Sequence, residues 1–309
     1  MSKISSKTVL LFLFLVHCSV LKAQEFIPLW TKGKMPNSKG LVLKDSINNE
    51  RLMQVATPGI HVFLTSVNEN KGAAVLIIPG GGYHHLSYNI SGYQLAKWFN
   101  TIGINAFVLD HRLPISPDVK EMEKAPLQDA ERAMRIIRAN AVKWVIDIEK
   151  VGAMGCSAGG HLAASLGTIK DDFASVQDEL DNYSFKPNFL ILVSPVIDMG
   201  TFAHKGSREN LLGKNPSKEW VEKFSLQNQV SDYTPPTFIA DAFNDRVVSP
   251  MNSLLFYNAL FEHHIPSALH VFPQGGHSIA LRNNPGSTAL WVDLCEKWLI
   301  ETNVIKEIK

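Results

Sequence analysis

The sequence predicts an α/β fold, a mostly parallel, doubly wound sheet with helices on both faces. Three observations lead there. Short continuous apolar runs of strand length, such as Ala73–Ile78, Ile104–Leu109 and Phe189–Val193, alternate with longer segments of helical periodicity. Glycine punctuation follows two of the runs, Pro79-Gly80-Gly81-Gly82 after Ile78 and Gly155 after Val151–Met154, as expected where a buried parallel strand ends in a tight turn. The 309 residues, 45% hydrophobic and 19% charged, supply one large core, and no repeat or low-complexity tract divides them.

The N-terminal segment stands apart. Lys3 and Lys7 precede the apolar run Val9–Val16, and Leu21-Lys22-Ala23 closes the segment. This order of basic region, short apolar region and small residue reads as a signal peptide, residues 1–23, cleaved near Ala23 and directing export. The apolar run is too short to span a bilayer. His17 stands where acylation of Cys18 would require a small residue, which argues against a lipid anchor. The mature part, 24–309, is then a single catalytic domain. It retains 27 basic against 29 acidic residues, a formal charge of −2 instead of +1. With no basic stripe, a nucleic-acid partner has no electrostatic support. Cys156 and Cys295 lie in a glycine motif and a C-terminal helix, an arrangement that does not suggest a disulfide.

Leu52–Val55 and Ile60–Thr65 read as early strands around the turn Pro58-Gly59. After the strand Ala73–Ile78 come a helix over Ser91–Thr101 and the strand Ile104–Leu109. Asp129–Val145 reads as one long amphipathic helix, with Ala130, Ala133, Met134, Ile137, Ala141 and Trp144 as its stripe and Arg132, Arg135 and Lys143 outside it. Val151–Met154 is a strand, Ala158–Ile169 a helix and Phe189–Val193 a strand. Residues 199–232 are polar, an irregular insertion over the sheet edge where active sites lie. Strands at Thr237–Ala240 and Leu269–Phe272 flank a helix over Pro250–His263, and a final helix places Leu290, Leu294 and Trp298 on one face.

Gly155-Cys156-Ser157-Ala158-Gly159 matches G-x-S-x-G, in which a nucleophile at a strand-to-helix turn needs small neighbours. Its setting between a strand and a helix points to the α/β-hydrolase fold with Ser157 as nucleophile. Serine needs a base, and in this fold the acid and then the histidine follow it in the chain. His277, in Gln274-Gly275-Gly276-His277, comes after the last strand and is the expected base. Asp245 follows the strand Thr237–Ala240 and is the favoured acid, with Asp198 and Asp241 as alternatives. Gly80-Gly81-Gly82 stands where backbone N–H groups stabilise an oxyanion, joined by the N–H of Ala158. His84, His204 and Trp220 are candidate substrate contacts, whereas His161 reads as a hydrogen-bonded core residue. No histidine or carboxylate spacing suggests a metal, and nothing calls for a cofactor.

Pro79-Gly80-Gly81-Gly82-Tyr83, Asp110-His111-Arg112-Leu113-Pro114, Gly155-Cys156-Ser157-Ala158-Gly159-Gly160-His161 and Thr234-Pro235-Pro236-Thr237-Phe238 occur in this order, with His204–Ser207, Asp245 and Gly276-His277. The set resembles bacterial carbohydrate esterases of the acetylxylan and feruloyl esterase kind, which deacylate hemicellulose, from about Ala73 to Trp298. The resemblance implies the triad Ser157, Asp245 and His277, oxyanion donors around Gly81, Gly82 and Ala158, and an acylated carbohydrate as partner. It departs at Asn244, where relatives carry an acid, and at Ser278-Ile279-Ala280, where they carry Gly-Phe-Gly. Other uses of the same triad are a short-chain carboxylesterase or lipase and a serine peptidase. A peptidase gating domain has only roughly fifty residues before Ala73 to occupy, and residues 199–232 are polar for a lipase lid. A non-catalytic carbohydrate-binding protein on a decayed scaffold would have lost Ser157, His277 or the glycine loop, and all are present.

Overall fold

The computed structural model describes residues 25–277 and 279–306. The expected signal peptide, with Cys18, and Ser278 lie outside the described residues.

Among the described residues ten strands form: β1 (Phe26–Pro28), β2 (Ser46–Asn48), β3 (Arg51–Gln54), β4 (Gly59–Phe63), β5 (Ala73–Ile78), β6 (Ile104–Asp110), β7 (Val151–Cys156), β8 (Leu190–Val193), β9 (Thr237–Ala242) and β10 (Ser267–Phe272). The helices are α1 (Gln94–Thr101), α2 (Ala125–Ala139), α3 (Ala141–Trp144), α4 (Ala158–Thr168), α5 (Lys205–Leu212), α6 (Lys218–Phe224), α7 (Met251–Glu262) and α8 (Trp291–Glu301). Eight strands make one sheet in the order β1-β4-β6-β5-β7-β8-β9-β10, and β2 and β3 pair as a separate hairpin. From β6 to β10 every neighbour is parallel, while β4 and β1 run antiparallel at one edge.

The sheet has a core on each side because β5, β6 and β7 are buried on both faces. Ala74, Leu76 and Ile78 of β5 face the cluster under α2, α4 and α7, whereas Ala73, Val75 and Ile77 face the one under α1 and α8. This is the period of two that a strand imposes on its side chains. From β5 the chain moves to β6 on one side and returns to β7 on the other. That reversal opens a crevice at the carboxyl ends of β5 and β7, which places Gly80–Gly82 beside Ser157.

Three expectations are corrected, and one polar helix face is found covered. The helix expected over Asp129–Val145 starts earlier, at Ala125, and breaks at Asn140, whose side-chain amide donates to the Ile136 carbonyl at 2.9 Å. Arg132 and Arg135, outside the apolar stripe, are buried because residues 171–188 cover that face of α2. Arg132 donates to Asp178 at 2.8 Å and Arg135 to Asp172 at 3.1 Å. The insertion 199–232 is not irregular, since it contains α5 and α6, the latter capped by the Ser217 hydroxyl accepting from Trp220 N–H. On the last helix Trp291, Cys295, Trp298 and Leu299 are buried, while Leu290 is 52% exposed. Leu290 ends a 3-10 turn before α8 begins, so the helical period does not reach it.

Candidate active site

β7 enters the turn with Ser157 at φ 56°, ψ −124°, a backbone conformation costly for any residue with a side chain. The turn is held on both sides. Ser157 N–H donates to the Val193 carbonyl at 3.0 Å, and its own carbonyl accepts from Val196 N–H at 3.0 Å and His161 N–H at 3.2 Å. The flanking glycines are required sterically. A Cβ on Gly155 would overlap the backbone of Gly159, and one on Gly159 would overlap the carbonyl oxygen of Ile78 at the end of β5. Close packing of β5, β7 and α4 thus explains the small positions of G-x-S-x-G.

His277 reaches this turn from the loop after β10. Its Nε2 lies 2.8 Å from Ser157 Oγ, and its Nδ1 lies 2.6 Å from Asp245 Oδ2. A carboxylate only accepts, so Nδ1 carries the proton and Nε2 is left to accept from the serine hydroxyl. Asp245 Oδ1 accepts from the N–H groups of Val247 and Val248 at 2.8 and 3.0 Å, which fixes the carboxylate. The alternative acids are committed elsewhere. Asp198 accepts from the N–H groups of Gly200 and Phe202 and from the Gln227 side-chain amide Nε2. Asp241 is buried against the Ser253 hydroxyl, and burial pushes its carboxyl up to about 6. Asn244, which sequence reading noted only as a departure, accepts from Gly276 N–H at 2.8 Å and so holds the turn before His277.

Gly80–Gly82 run beside the serine at the end of β5. Gly81 (φ 142°) and Gly82 (φ 63°) occupy conformations that favour glycine, and a Cβ on Gly81 would overlap the His85 carbonyl. The Gly82 carbonyl accepts from Asn210 Nδ2 at 2.8 Å, which ties the loop to α5. Ala158 is the first residue of α4, so its N–H has no intrahelical acceptor. Behind the loop, His161 is fully buried. Its Nε2–H donates to the Phe224 carbonyl at 2.9 Å, so Nδ1 accepts from the Tyr83 hydroxyl at 2.8 Å. Burial lowers the imidazole to about 4, which keeps it neutral, and the histidine links the glycine loop to α6.

A cleft of about 540 Å³ opens over these groups. Leu95, Ile279, Ala280 and Trp291 form an apolar part, and Arg51, His84, His85 and His204 form a polar part. His84 and His204 therefore both line the cleft. His204 caps α5, with Nδ1 accepting from Ser207 N–H at 3.2 Å, and burial followed by the nearby His277 lowers its pKa. Trp220 does not line the cleft. It is partly buried against the core, with its ring 5.7 Å from that of Phe224, so it anchors α6 instead of offering a sugar platform. Sequence reading missed Asn210 and Arg51, whose partners or neighbours in the cleft are remote in sequence and leave no local signal. Among the described residues no group of His, Cys, Asp or Glu is arranged to hold a metal ion, and Cys156 and Cys295 are free thiols.

The BD-FAE family model matches residues 60–260. Over 227 residues the chain is 41% identical to endo-1,4-beta-xylanase B of Butyrivibrio fibrisolvens, covering 74% of this chain and 35% of that protein. It is 37% identical over 211 residues to an acetylxylan esterase of Xylanibacter ruminicola, covering 67% of this chain and 41% of that protein. The chain thus spans well under half the length of these two relatives. The crystal structure of an acetyl ester-xyloside bifunctional hydrolase from Caldicellulosiruptor lactoaceticus superposes with TM-score 0.78 at 35% identity, over 93% of this chain and 99% of that one. With the strand order above, this likeness gives the α/β-hydrolase fold.

Proposed function

The chain belongs to the BD-FAE family, and from that premise we propose that it is a serine esterase removing acetyl or feruloyl groups from hemicellulose-type saccharides. The observation that carries the mechanism is the chain of short contacts from Ser157 Oγ through His277 to Asp245. Ser157 Oγ attacks the acyl carbonyl carbon as its proton passes to His277 Nε2, giving a tetrahedral oxyanion beside the N–H groups of Gly81, Gly82 and Ala158. The carbonyl re-forms as the bond to the sugar oxygen breaks, and that oxygen takes the proton from the imidazolium. Water then adds to the acyl-serine with His277 as base, the free acid leaves, and Ser157 regains its proton. Asp245 stabilises the imidazolium and holds the tautomer throughout.

The cleft suits such an ester. Its apolar part accepts an uncharged acyl group, and its histidines and arginine face hydroxyl-rich material. Export, inferred from residues 1–23 alone, would bring the enzyme to polymeric substrates outside the cell.

The test is Ser157→Ala assayed on p-nitrophenyl acetate and by acetate release from acetylated xylan. Turnover should fall by roughly 10⁵–10⁶-fold on both. Near-normal activity in the variant would overturn the nucleophile. A wild-type preference for a peptide amide or a long-chain ester over acetylated xylan would favour the peptidase or lipase use of the triad.

A further inference from the structure

The hairpin formed by β2 and β3 adds nothing to the main sheet, yet it is fixed firmly at the mouth of the cleft. Its loop is Asn49-Glu50, both in the left-handed region at φ 47° and 57°, the two-residue turn that matches the twist of a hairpin. Arg51 follows directly. Leu52 and Leu86 then exchange two backbone hydrogen bonds, each 2.9 Å, joining β3 to the segment after the glycine loop. The Asn89 amide donates to Glu50 Oε1 at 2.9 Å and ties down the turn as well.

The result is a polar wall with one fixed cation, Arg51. Arg51 lines the cleft with His84 and His85, whose rings meet edge to face at 5.8 Å. Arg51 is close enough to His85 for its charge to lower that imidazole, behind burial as the larger cause and ahead of His84. No aspartate or glutamate is among the described residues lining the cleft, and among the described residues no carboxylate pairs with Arg51. Glu50, the nearest acid in sequence, is engaged by Asn89 and is not part of the lining. An arginine held at a ligand-binding cleft without a counter-ion has one natural complement, a carboxylate approached by its planar fork.

We propose that Arg51, supported by His84 and His85, selects ester substrates whose saccharide carries a carboxylate, namely uronate-substituted acetylated oligosaccharides. The charge belongs on the saccharide because the acyl groups under consideration are uncharged and the cleft provides Leu95, Ile279 and Trp291 for them. The inference rests on the esterase reading above and narrows its substrate class.

The experiment compares one acetylated xylo-oligosaccharide bearing a uronic acid with the same compound after reduction of that carboxyl to an alcohol. The wild-type enzyme should favour the charged compound about five- to tenfold in kcat/KM, mainly through KM, as for a partly solvated charge pair. The preference should shrink as salt rises from ~0.05 to ~0.5 M. Arg51→Gln should bring the ratio of the two rates to about one, and Arg51→Lys should restore part of it. Equal wild-type turnover of the two compounds, or a ratio unchanged in Arg51→Gln, would overturn this proposal while leaving the esterase reading intact. Absence of wild-type turnover on both compounds and on p-nitrophenyl acetate would overturn the esterase reading itself. The wild-type comparison needs no variant, so it decides the matter even if Arg51→Gln fails to fold.

Discussion

Gly159, at the start of α4, lies so close to the carbonyl oxygen of Ile78 that a methyl group added to it would overlap that oxygen. The contact joins the turn after β7 to the end of β5, the two places that supply Ser157 and the glycine loop. It couples the proposed nucleophile and the proposed oxyanion loop through backbone instead of side chains, so neither can shift alone.

Gly159→Ala is therefore expected to force α4 away from β5. The cost should be about 3 kcal/mol, lowering Tm by roughly 6–12 °C, because the clash is with backbone that cannot rotate away. Turnover of the folded variant should fall as well. Calorimetry and p-nitrophenyl acetate kinetics check this, and an unchanged Tm with full activity would contradict it.

Exchange of carboxylates separates the three candidate acids. Asp245→Asn should lower kcat about 10⁴-fold by losing the tautomer in which His277 Nε2 accepts the serine proton. Asp198→Asn should act on stability, by about 1–3 kcal/mol, since Asp198 organises residues 200–227 and makes no contact with His277. The two variants compared in one assay give the answer. Equal loss of kcat in both would contradict the assignment.

Asn210→Ala should loosen the glycine loop by removing its bond to the Gly82 carbonyl. The expected effect is about tenfold on kcat with a smaller change in KM, because an oxyanion donor works chiefly in the transition state. A change confined to KM would show that Asn210 acts on ground-state binding.

His161 predicts a pH dependence of stability. Its folded pKa, near 4, lies below the ordinary 6.5, so between these values the unfolded chain binds more protons. Its contribution is fully present above pH 6.5 and is lost as pH falls through that window toward 4, on the order of 3 kcal/mol. His161→Gln can still donate to the Phe224 carbonyl and accept from the Tyr83 hydroxyl, without titrating. Denaturant unfolding at a series of pH values should show a smaller loss between pH 6.5 and 4 in the variant than in the wild type. Parallel curves would contradict this.

Much of the site was legible because its chemistry is written in local backbone demands. Gly80–Gly82, Gly155–Gly159 and Gly275-Gly276 announce positions where a Cβ or a negative φ does not fit, and each stands beside a residue the structure brings to the cleft. The strands of the central sheet were legible for a related reason, since burial on both faces leaves continuous apolar runs. Partnerships across the fold were not. Arg132 and Arg135 look like a solvated helix face until residues 171–188 cover them and supply aspartates, and Trp220 looks like a platform until α6 turns it toward Phe224.

The sequence by itself determined the tight turn that carries Ser157, the order of Ser157, Asp245 and His277 along the chain, and the strand-helix alternation that makes the sheet. Those features depend on residues close together in the chain, where steric and periodic rules act. Only the tertiary structure brings one of Asp198, Asp241 and Asp245, namely Asp245, against His277, because all three lie at or after strand ends and only the placement of His277 distinguishes them. It also decided that Arg51 faces the cleft, since two backbone hydrogen bonds between Leu52 and Leu86, 34 residues apart, put it there. Contacts of that range depend on how the chain folds back on itself, and no local pattern in the sequence encodes them.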